Sequence, residues 1–233
     1  IKSLNFDEVD ILWFTDPRYF SLTKKIKYKK MFYRCVDDLE SFEDIPKNII
    51  YYEIELIKNC DYVFYTSEVL LNKYNKYNVN SLYLPNGCDY DFFSQSTLIN
   101  TSLDNDIFSK EKINIIYVGT ISYWFDWDVI IHLSQNNNVI IIGPIKTEIP
   151  NNCKNNRNIK FLGVIEYKNI PFYLSKADVG IIPFKVNDIT NSVNPIKLYE
   201  YCAAGLPVIS SNFKTVSNIK GPFKIYNDYN DLD

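Results

Sequence analysis

The feature that most constrains this chain is an alternation. Short apolar runs rich in β-branched and aromatic residues occur at residues 9–14, 31–36, 62–66, 81–84, 113–118, 138–142, 159–162, 179–183 and 207–210. Between them lie stretches with helical periodicity at residues 48–59, 68–74, 126–135, 170–175 and 195–204. Runs that are apolar throughout belong to strands covered on both faces, and strand–helix alternation delivers such strands as parallel sheets, so the expected class is α/β. Ligands in these folds bind outside the carboxyl ends of the strands. The residues just after each run are therefore where chemistry is expected.

The alternation is interrupted once. Residues 94–110 are polar, rich in Ser, Asn and Asp, and without a period, which predicts a linker. Residues 1–93 and 111–233 then each hold several strand signals, and each is expected to form a Rossmann-like parallel-sheet domain. The chain opens almost directly into a strand and ends on the polar stretch 226–231, so both domains are expected to be incomplete, as in a fragment trimmed at both ends.

Composition narrows the function classes. With 233 residues, 46% of them hydrophobic, the chain can bury a large core. A net charge of -3 supplies no domain-wide basic field, which argues against nucleic acid. No apolar run approaches the ~20 residues of a membrane-spanning helix, and the first residues do not resemble a signal sequence. The five cysteines are odd in number, widely spaced and without a C-x-x-C pair, which fits a reducing cytoplasm rather than a metal knuckle. The single histidine, His132, leaves no multi-histidine metal site and reads as a partly buried helix residue.

The most informative segment is residues 192–210, Ser-Val-Asn-Pro-Ile-Lys-Leu-Tyr-Glu-Tyr-Cys-Ala-Ala-Gly-Leu-Pro-Val-Ile-Ser. Asn194 is expected to cap a helix with Pro195 at its first position, and Gly205 followed by Pro207 to stop it. Lys197 then lies in the first turn and Glu200 one turn later. A cation in the first turn faces the positive end of the helix dipole, unfavourable by at least a few tenths of a kcal/mol. The placement makes sense if an anion sits there: helix-start N–H groups and a lysine together suit a diphosphate. An ionised Glu200 can accept hydrogen bonds from vicinal hydroxyls such as those of a ribose. The competing reading is an i,i+3 surface pair, although lysine before glutamate is the weaker order. The residues alone leave both open.

This segment resembles the donor-binding helix of GT-B glycosyltransferases of the family-4 type, also called group 1, where a Glu-x-Met-Ala-x-Gly-x-Pro-Val pattern recurs. Glu200 and the run Ala204-Gly205-Leu206-Pro207-Val208 match it. The resemblance implies that Glu200 holds the nucleotide ribose and that Lys197 neutralises the diphosphate. Ser192 stands where the family often has a second glutamate, which points to a subgroup of Asn-Pro-x-Lys-Leu-Tyr-Glu-Tyr form beginning at Asn194. Residues 61–67 resemble the late strand of the acceptor domain. Leu84-Pro85-Asn86-Gly87-Cys88-Asp89 and the phenylalanines after it resemble the segment leading into the interdomain crossover, which would put Asn86 and Gly87 at the mouth of the cleft between the domains. Tyr117-Val118-Gly119-Thr120 resembles the first strand and glycine turn of the donor domain. Val179-Gly180-Ile181-Ile182-Pro183-Phe184 resembles the strand and loop that carry the donor base and sugar, with plain burial as the alternative for Phe184.

Two aspartate pairs compete for a metal reading. Asp126-x-Asp128 could be the Asp-x-Asp site of single-domain glycosyltransferases, but Asp126 opens a periodic helix, where an N-cap is expected. Asp89-x-Asp91 belongs to the crossover pattern. No metal and no cofactor beyond the donor are expected, and the 19 tyrosines and 15 phenylalanines are assigned to the core. For the acceptor side, a general base must reach an acceptor hydroxyl at a strand's carboxyl end. Asp37 and Asp38 follow the run 31–36 and are the candidates, with Asp16 as their rival. Lys24, Lys25, Lys27, Lys29 and Lys30 form a basic patch, either a solvated face or a contact for an anionic membrane or diphosphate-linked lipid.

The resemblance implies a glycosyltransferase moving a sugar from a nucleoside diphosphate to a hydroxyl of a saccharide or lipid-linked acceptor, in cell-surface polysaccharide synthesis. Its expected place is the cytoplasm, at the inner face of the membrane. Two alternatives share the shape: a nucleotide-sugar epimerase, which needs more acid–base groups than one histidine suggests, and a non-catalytic nucleotide-sugar-binding scaffold subunit.

Overall fold

The computed structural model describes residues 7–95 and 107–232, so most of the expected linker lies outside the described residues. The chain divides into two compact units, Ile1–Asn86 with Asn191–Asn194, and Gly87–Thr190 with Pro195–Asp233.

In the first unit, β1 (Glu8–Phe14), β2 (Lys27–Cys35), β3 (Tyr62–Tyr65) and β4 (Ser81–Tyr83) pair in that order, all parallel. Helices α1 (Lys47–Asn59) and α2 (Glu68–Tyr74) follow β2 and β3. The core joins Leu56 and Ile57 of α1 and Leu70 of α2 to Met31, Tyr33 and Cys35, alternate residues of β2. Among the described residues only one face of this sheet is covered, contrary to the expectation of burial on both. The other face carries exposed Ile11, Trp13 and Tyr62, and Trp13 stacks on Phe64 with ring centroids 5.2 Å apart.

The second unit follows the expected pattern more closely. Its short helices are α3 (Tyr90–Ser94), α4 (Trp127–Leu133), α5 (Asn151–Lys154), α6 (Ile170–Lys176), α7 (Asp188–Ser192), α8 (Ile196–Ala203) and α9 (Lys214–Asn218), with α7 running into the segment returned to the first unit. The strands are β5 (Asn114–Val118), β6 (Asn138–Ile142), β7 (Ile159–Gly163), β8 (Val179–Ile182), β9 (Val208–Ser211) and β10 (Phe223–Tyr226). They form one parallel sheet in the order β10-β9-β8-β5-β6-β7. Every residue of β6 is buried. The chain builds outward from β5 to β7, then returns to the other side of β5 with β8. That reversal is a topological switch point, and in open α/β sheets the crevice outside the carboxyl ends there is the ligand site. The residues at that point are Gly119, after β5, and Pro183, after β8.

Helix α8 is fixed against these two strands by Tyr201. The Val118 N–H donates to the Tyr201 hydroxyl at 2.7 Å, and the ring lies so close to Gly180 that a Cβ there would stand 2.4 Å from Cδ2. The helix ends as its glycine predicts. Gly205 takes φ +73°, the Leu206 N–H donates to the Tyr201 carbonyl at 2.9 Å, and the Gly205 N–H donates to the Cys202 carbonyl at 3.0 Å. These two bonds form a Schellman closure. Its start differs from expectation: Pro195, not Asn194, occupies the N-cap position. The Asn194 side chain is engaged elsewhere, its Oδ1 accepting from the Asn86 N–H at 3.1 Å.

Because the Gly180–Tyr201 contact leaves no room for a methyl group, Gly180→Ala is expected to destabilise the protein by roughly 1–3 kcal/mol, the usual effect of overpacking a filled site. Urea unfolding of the variant checks this; an unchanged midpoint would show that α8 sits less tightly than described.

Candidate functional site

The switch point gathers most of the residues expected on the donor side. Gly119 has φ +154°, and a Cβ added to it would lie 2.8 Å from Lys197 Cε and 3.0 Å from Lys197 Nζ. The lysine therefore lies directly over the glycine turn. Gly143, which follows β6, was not anticipated: it has φ +138°, and a Cβ there would meet the Gly119 carbonyl oxygen at 2.0 Å. The two turns pack backbone on backbone. The signal was present, a glycine immediately after a fully apolar strand, as at Gly119.

Lys197 Nζ sits 5.6 Å from the centroid of the Tyr117 ring and 5.3 Å from that of Phe184. Cation–π attraction partly offsets its removal from water. Burial nonetheless pushes the ammonium from 10.5 down to about 8, with Glu200 pulling the other way. A poorly compensated cation thus stands in the first turn of α8, where the free helix N–H groups add positive potential. Both features favour an anion.

Glu200 lies one turn further along α8 and is half-buried. Its carboxyl is raised by burial, while a hydrogen bond from Tyr167 and the charge of Lys197 lower it. The Tyr167 hydroxyl donates to Glu200 Oε1 at 3.1 Å, and its ring stacks on Phe92 at 5.4 Å. Burial and the neighbouring carboxylate push the Tyr167 phenol up to about 12. Tyr167 carried no sequence signal, since nothing local marks a tyrosine 33 positions from its partner.

The remaining donor-side residues contribute backbone and packing. The Thr120 carbonyl accepts from the Tyr117 hydroxyl at 2.9 Å, and the Pro183 carbonyl accepts from the Asp126 N–H at 2.8 Å. Phe184 is buried in the core and also touches Lys197, so its two readings coexist. Asp126 caps α4, accepting from the Asp128 N–H at 3.0 Å, and Asp89 caps α3, accepting from the Phe92 N–H at 3.0 Å. Asp126 thus takes the capping role expected of it, and Asp89, read in the sequence as part of the crossover pattern, caps a helix as well. His132 is half-buried and stacks on Tyr229, ring centroids 5.6 Å apart.

Asn86 and Asn194 meet within the first unit. Arg34 Nη2 donates to Asn86 Oδ1 at 2.7 Å, and Asn86 Nδ2 donates to the Asn194 carbonyl at 2.7 Å. Asn86 thereby fixes the residue immediately before Pro195 and α8. Gly87 has no positive φ, and a Cβ there would meet nothing within 4 Å, so its backbone does not require glycine.

The two candidate bases separate. Asp38 is buried and its carboxylate accepts from Lys73 Nζ at 2.6 Å, Ser41 Oγ at 2.7 Å and the Tyr74 hydroxyl at 3.0 Å. It is occupied in holding α2. Asp37 lines a cavity of about 530 Å³ at the carboxyl ends of β1 and β2, and burial raises its carboxyl. Asp16 also lines the cavity but is held low by Arg18, whose Nε donates to its Oδ2 at 2.9 Å.

Lys29 pairs with Asp10 at 2.6 Å and Lys30 with Asp61 at 2.7 Å, which neutralises part of the basic patch. All five cysteines are unpaired. Among the described residues no helix is long and apolar enough to cross a membrane.

Comparison with known proteins bears on this geometry. The family model described as glycosyl transferases group 1 matches residues 102–227, more than half of the chain. The Bacillus subtilis (strain 168) protein named as a teichuronic acid biosynthesis glycosyltransferase, TuaH, is 35% identical over 66 residues, 28% of this chain and 17% of that protein. Among solved structures, α,α-trehalose 6-phosphate synthase from Burkholderia multivorans aligns with TM-score 0.68 at 12% identity, covering 99% of this chain and 63% of that one. Anabaena Alr3699/HepE, crystallised with UDP and glucose, aligns with TM-score 0.66 at 15% identity, covering 94% of this chain and 64% of that one. The chain thus spans less than two thirds of the length of these relatives. At such identities the likeness shows the fold, the GT-B arrangement of two Rossmann-like parallel-sheet units.

Proposed function

The chain belongs to the group 1 glycosyl transferases, and from that premise we propose that it transfers a sugar from a nucleoside diphosphate to a hydroxyl of a saccharide or lipid-linked acceptor in cell-surface polysaccharide synthesis. The observation that carries the reading is Lys197, a cation set on two aromatic rings in the first turn of α8 and directly over the Gly119 turn.

Loss of the nucleoside diphosphate leaves negative charge on its terminal phosphate. Fixed N–H groups and a desolvated ammonium stabilise that charge without reorganising. Gly119 and Thr120 let the phosphates and sugar approach the backbone, and Pro183 and Phe184 line the opposite strand end. Glu200 accepts hydrogen bonds from the ribose, whose hydroxyls take up the acceptor capacity that Tyr167 does not use. Asn194, tied to Asn86, is the residue that precedes the N-cap Pro195. On the acceptor side Asp37 is the base, its carboxyl already raised by burial. The mechanism uses no metal and no cofactor beyond the donor. The site of action is the cytoplasmic face of the membrane, where Lys24, Lys25 and Lys27 are the members of the basic patch left to meet an anionic surface.

Because HepE is a UDP and UDP-glucose complex in its crystals, uridine nucleotides are the first to test. Calorimetric titration in the presence of EDTA is expected to show UDP binding at least about tenfold more tightly than UMP, the β-phosphate adding a charge-assisted hydrogen bond. GDP, dTDP and ADP run alongside identify the base. If no nucleoside diphosphate binds better than its monophosphate, the Lys197 site is not a diphosphate site and the reading fails.

A further inference from the structure

Tyr167 opens a short turn, Tyr167–Asn169, after the carboxyl end of β7. It is 58% exposed, and a side chain so open to water ordinarily keeps its rotamer freedom, because a hydrogen bond there costs entropy and competes with solvent. Here the ring is held. It stacks on Phe92 with centroids 5.4 Å apart and planes 13° from parallel, and it meets Phe93 edge-on at 5.7 Å. Phe92 and Phe93 meet each other at 5.2 Å and 84°, so the three rings form one cluster in the preferred aromatic geometries. Phe93 is fully buried and anchors the cluster in α3.

The consequence falls on Glu200, whose Oε1 accepts from the Tyr167 hydroxyl at 3.1 Å. The last torsion of a glutamate is broad, so a carboxyl without a fixed donor turns through several planes. A donor on a clamped ring selects one. A carboxylate has about four acceptor positions; the tyrosine takes one of them and orients the rest.

We propose that Tyr167, clamped by Phe92 and Phe93, is a positioning residue of the ribose site, its hydroxyl fixing the Glu200 carboxyl in the plane that accepts the ribose hydroxyls. The proposal rests on the assignment of Glu200 to the ribose and adds the group that presents it.

A pH signature follows. Burial raises the Glu200 carboxyl, and the Tyr167 bond and the charge of Lys197 oppose this. The ionisable groups around Glu200 and Tyr167 are Lys197 and Tyr201 on α8 and Cys88 and Asp89 at the start of α3. Burial keeps the Cys88 thiol above its ordinary value and the Tyr201 phenol well above its own, Tyr167 stands at about 12, and Lys197 at about 8 keeps its proton below neutrality. Removing the Tyr167 hydroxyl lifts the Glu200 carboxyl further, so more of it is protonated at pH 5. A ribose hydroxyl donates more strongly to the ionised form, and the affinity lost with the hydroxyl is therefore larger at pH 5 than at pH 7. The terminal phosphate of UDP titrates alike with both proteins, so the ratio of their affinities isolates the carboxyl.

The test uses the full chain and calorimetric titration of UDP, 2′-deoxy-UDP and 3′-deoxy-UDP. Wild type is expected to prefer UDP over at least one deoxy analogue by roughly tenfold or more at pH 7. Tyr167→Phe keeps all three rings and loses only an exposed hydroxyl, so its Tm should stay within about 2 °C of wild type. Its UDP affinity should fall about threefold to tenfold at pH 7 and further at pH 5, and its preference for the ribose hydroxyls should shrink to about threefold or less. Phe92→Leu keeps the hydroxyl but removes the ring that Tyr167 stacks on, and its preference should shrink in the same direction. Added to Glu200→Gln, Tyr167→Phe should change UDP affinity by less than about twofold, since it acts through that carboxyl. A structural role alone would weaken UDP and its deoxy analogues equally at every pH, and that pattern would overturn the proposal, as would wild-type selectivity in Tyr167→Phe or in Phe92→Leu. If wild type prefers UDP and Tyr167→Phe keeps that preference, Tyr167 alone leaves the ribose site. If wild type shows no preference for either hydroxyl, the assignment of Glu200 falls and this proposal with it.

Discussion

Lys197→Met is expected to weaken UDP binding by roughly a hundredfold while making the unliganded protein more stable. The loss follows from removing a charge-assisted hydrogen bond, about 1.5–3 kcal/mol, together with longer-range attraction from a partly buried charge. The gain follows from the lysine's environment. Its folded-state value of about 8 lies below its ordinary 10.5, so at neutral pH the fold holds a charge that burial disfavours. Methionine has nearly the same length, keeps the contact with Tyr117 and Phe184, and carries no charge. A gain of about 1 kcal/mol in a protein of this size raises Tm by roughly 2–4 °C.

The pH dependences have definite signs. A diphosphate binds the protonated lysine. As pH rises through about 8 the free protein loses that proton, and UDP affinity should fall by up to roughly tenfold per unit. Between about 8 and 10.5 the unfolded chain holds this proton more firmly than the folded one, so the lysine's contribution to unliganded stability grows with pH across that window. Lys197→Met should show neither slope at this group. Calorimetric titrations at pH 7 and 9 with thermal melts of both proteins provide the check. Unchanged UDP affinity would end the assignment of Lys197 to the diphosphate, and a fall in both affinity and Tm would mean that the residue is structural.

Such a trade of stability for binding is expected where a site breaks a local rule, and that is why this helix was legible. A lysine in the first turn contradicts the dipole preference, and the contradiction is visible in eight residues of sequence. The same holds for the stop signal, since Gly205 closes α8 through bonds made within its own last turn. Asn194 shows the limit. Its side chain could have capped the helix, yet it accepts from Asn86, a residue 108 positions away. Asp37 and Asp38 looked equivalent for the same reason. What distinguishes them is Lys73 and Tyr74, which are brought to Asp38 by the docking of α2. β10 escaped detection because it is a four-residue strand at the sheet edge with mixed burial, and a run that short gives little period to read. The sheet of the first unit was expected to be covered on both faces because its strands are apolar throughout. That expectation treats apolar sequence as proof of a covering layer, whereas Ile11 and Trp13 face away from the helices described.

Glu200→Gln offers the sharpest separation of donor binding from helix stability. The carboxylate is half-buried and raised by burial, and its Oε1 already accepts from Tyr167. A glutamine keeps the shape and can still accept that bond, but it loses charge-assisted acceptance from a ribose hydroxyl. UDP affinity is expected to fall by roughly tenfold to a hundredfold. Glutamine forms helix about as well as glutamate, so the Tm of the unliganded protein should hardly move. If Glu200 serves only as a surface partner of Lys197, the opposite pattern results: little change in nucleotide binding and a small shift in stability. The 2′-deoxy analogue of UDP tests the ribose contact directly. Wild type should prefer UDP over the deoxy form, because the missing hydroxyl leaves the half-buried carboxylate short of a donor. In Glu200→Gln that preference should shrink, since the lost interaction is the same one. Equal UDP affinities for wild type and variant, or a preference for the 2′-hydroxyl that the substitution leaves unchanged, would take Glu200 out of the ribose site.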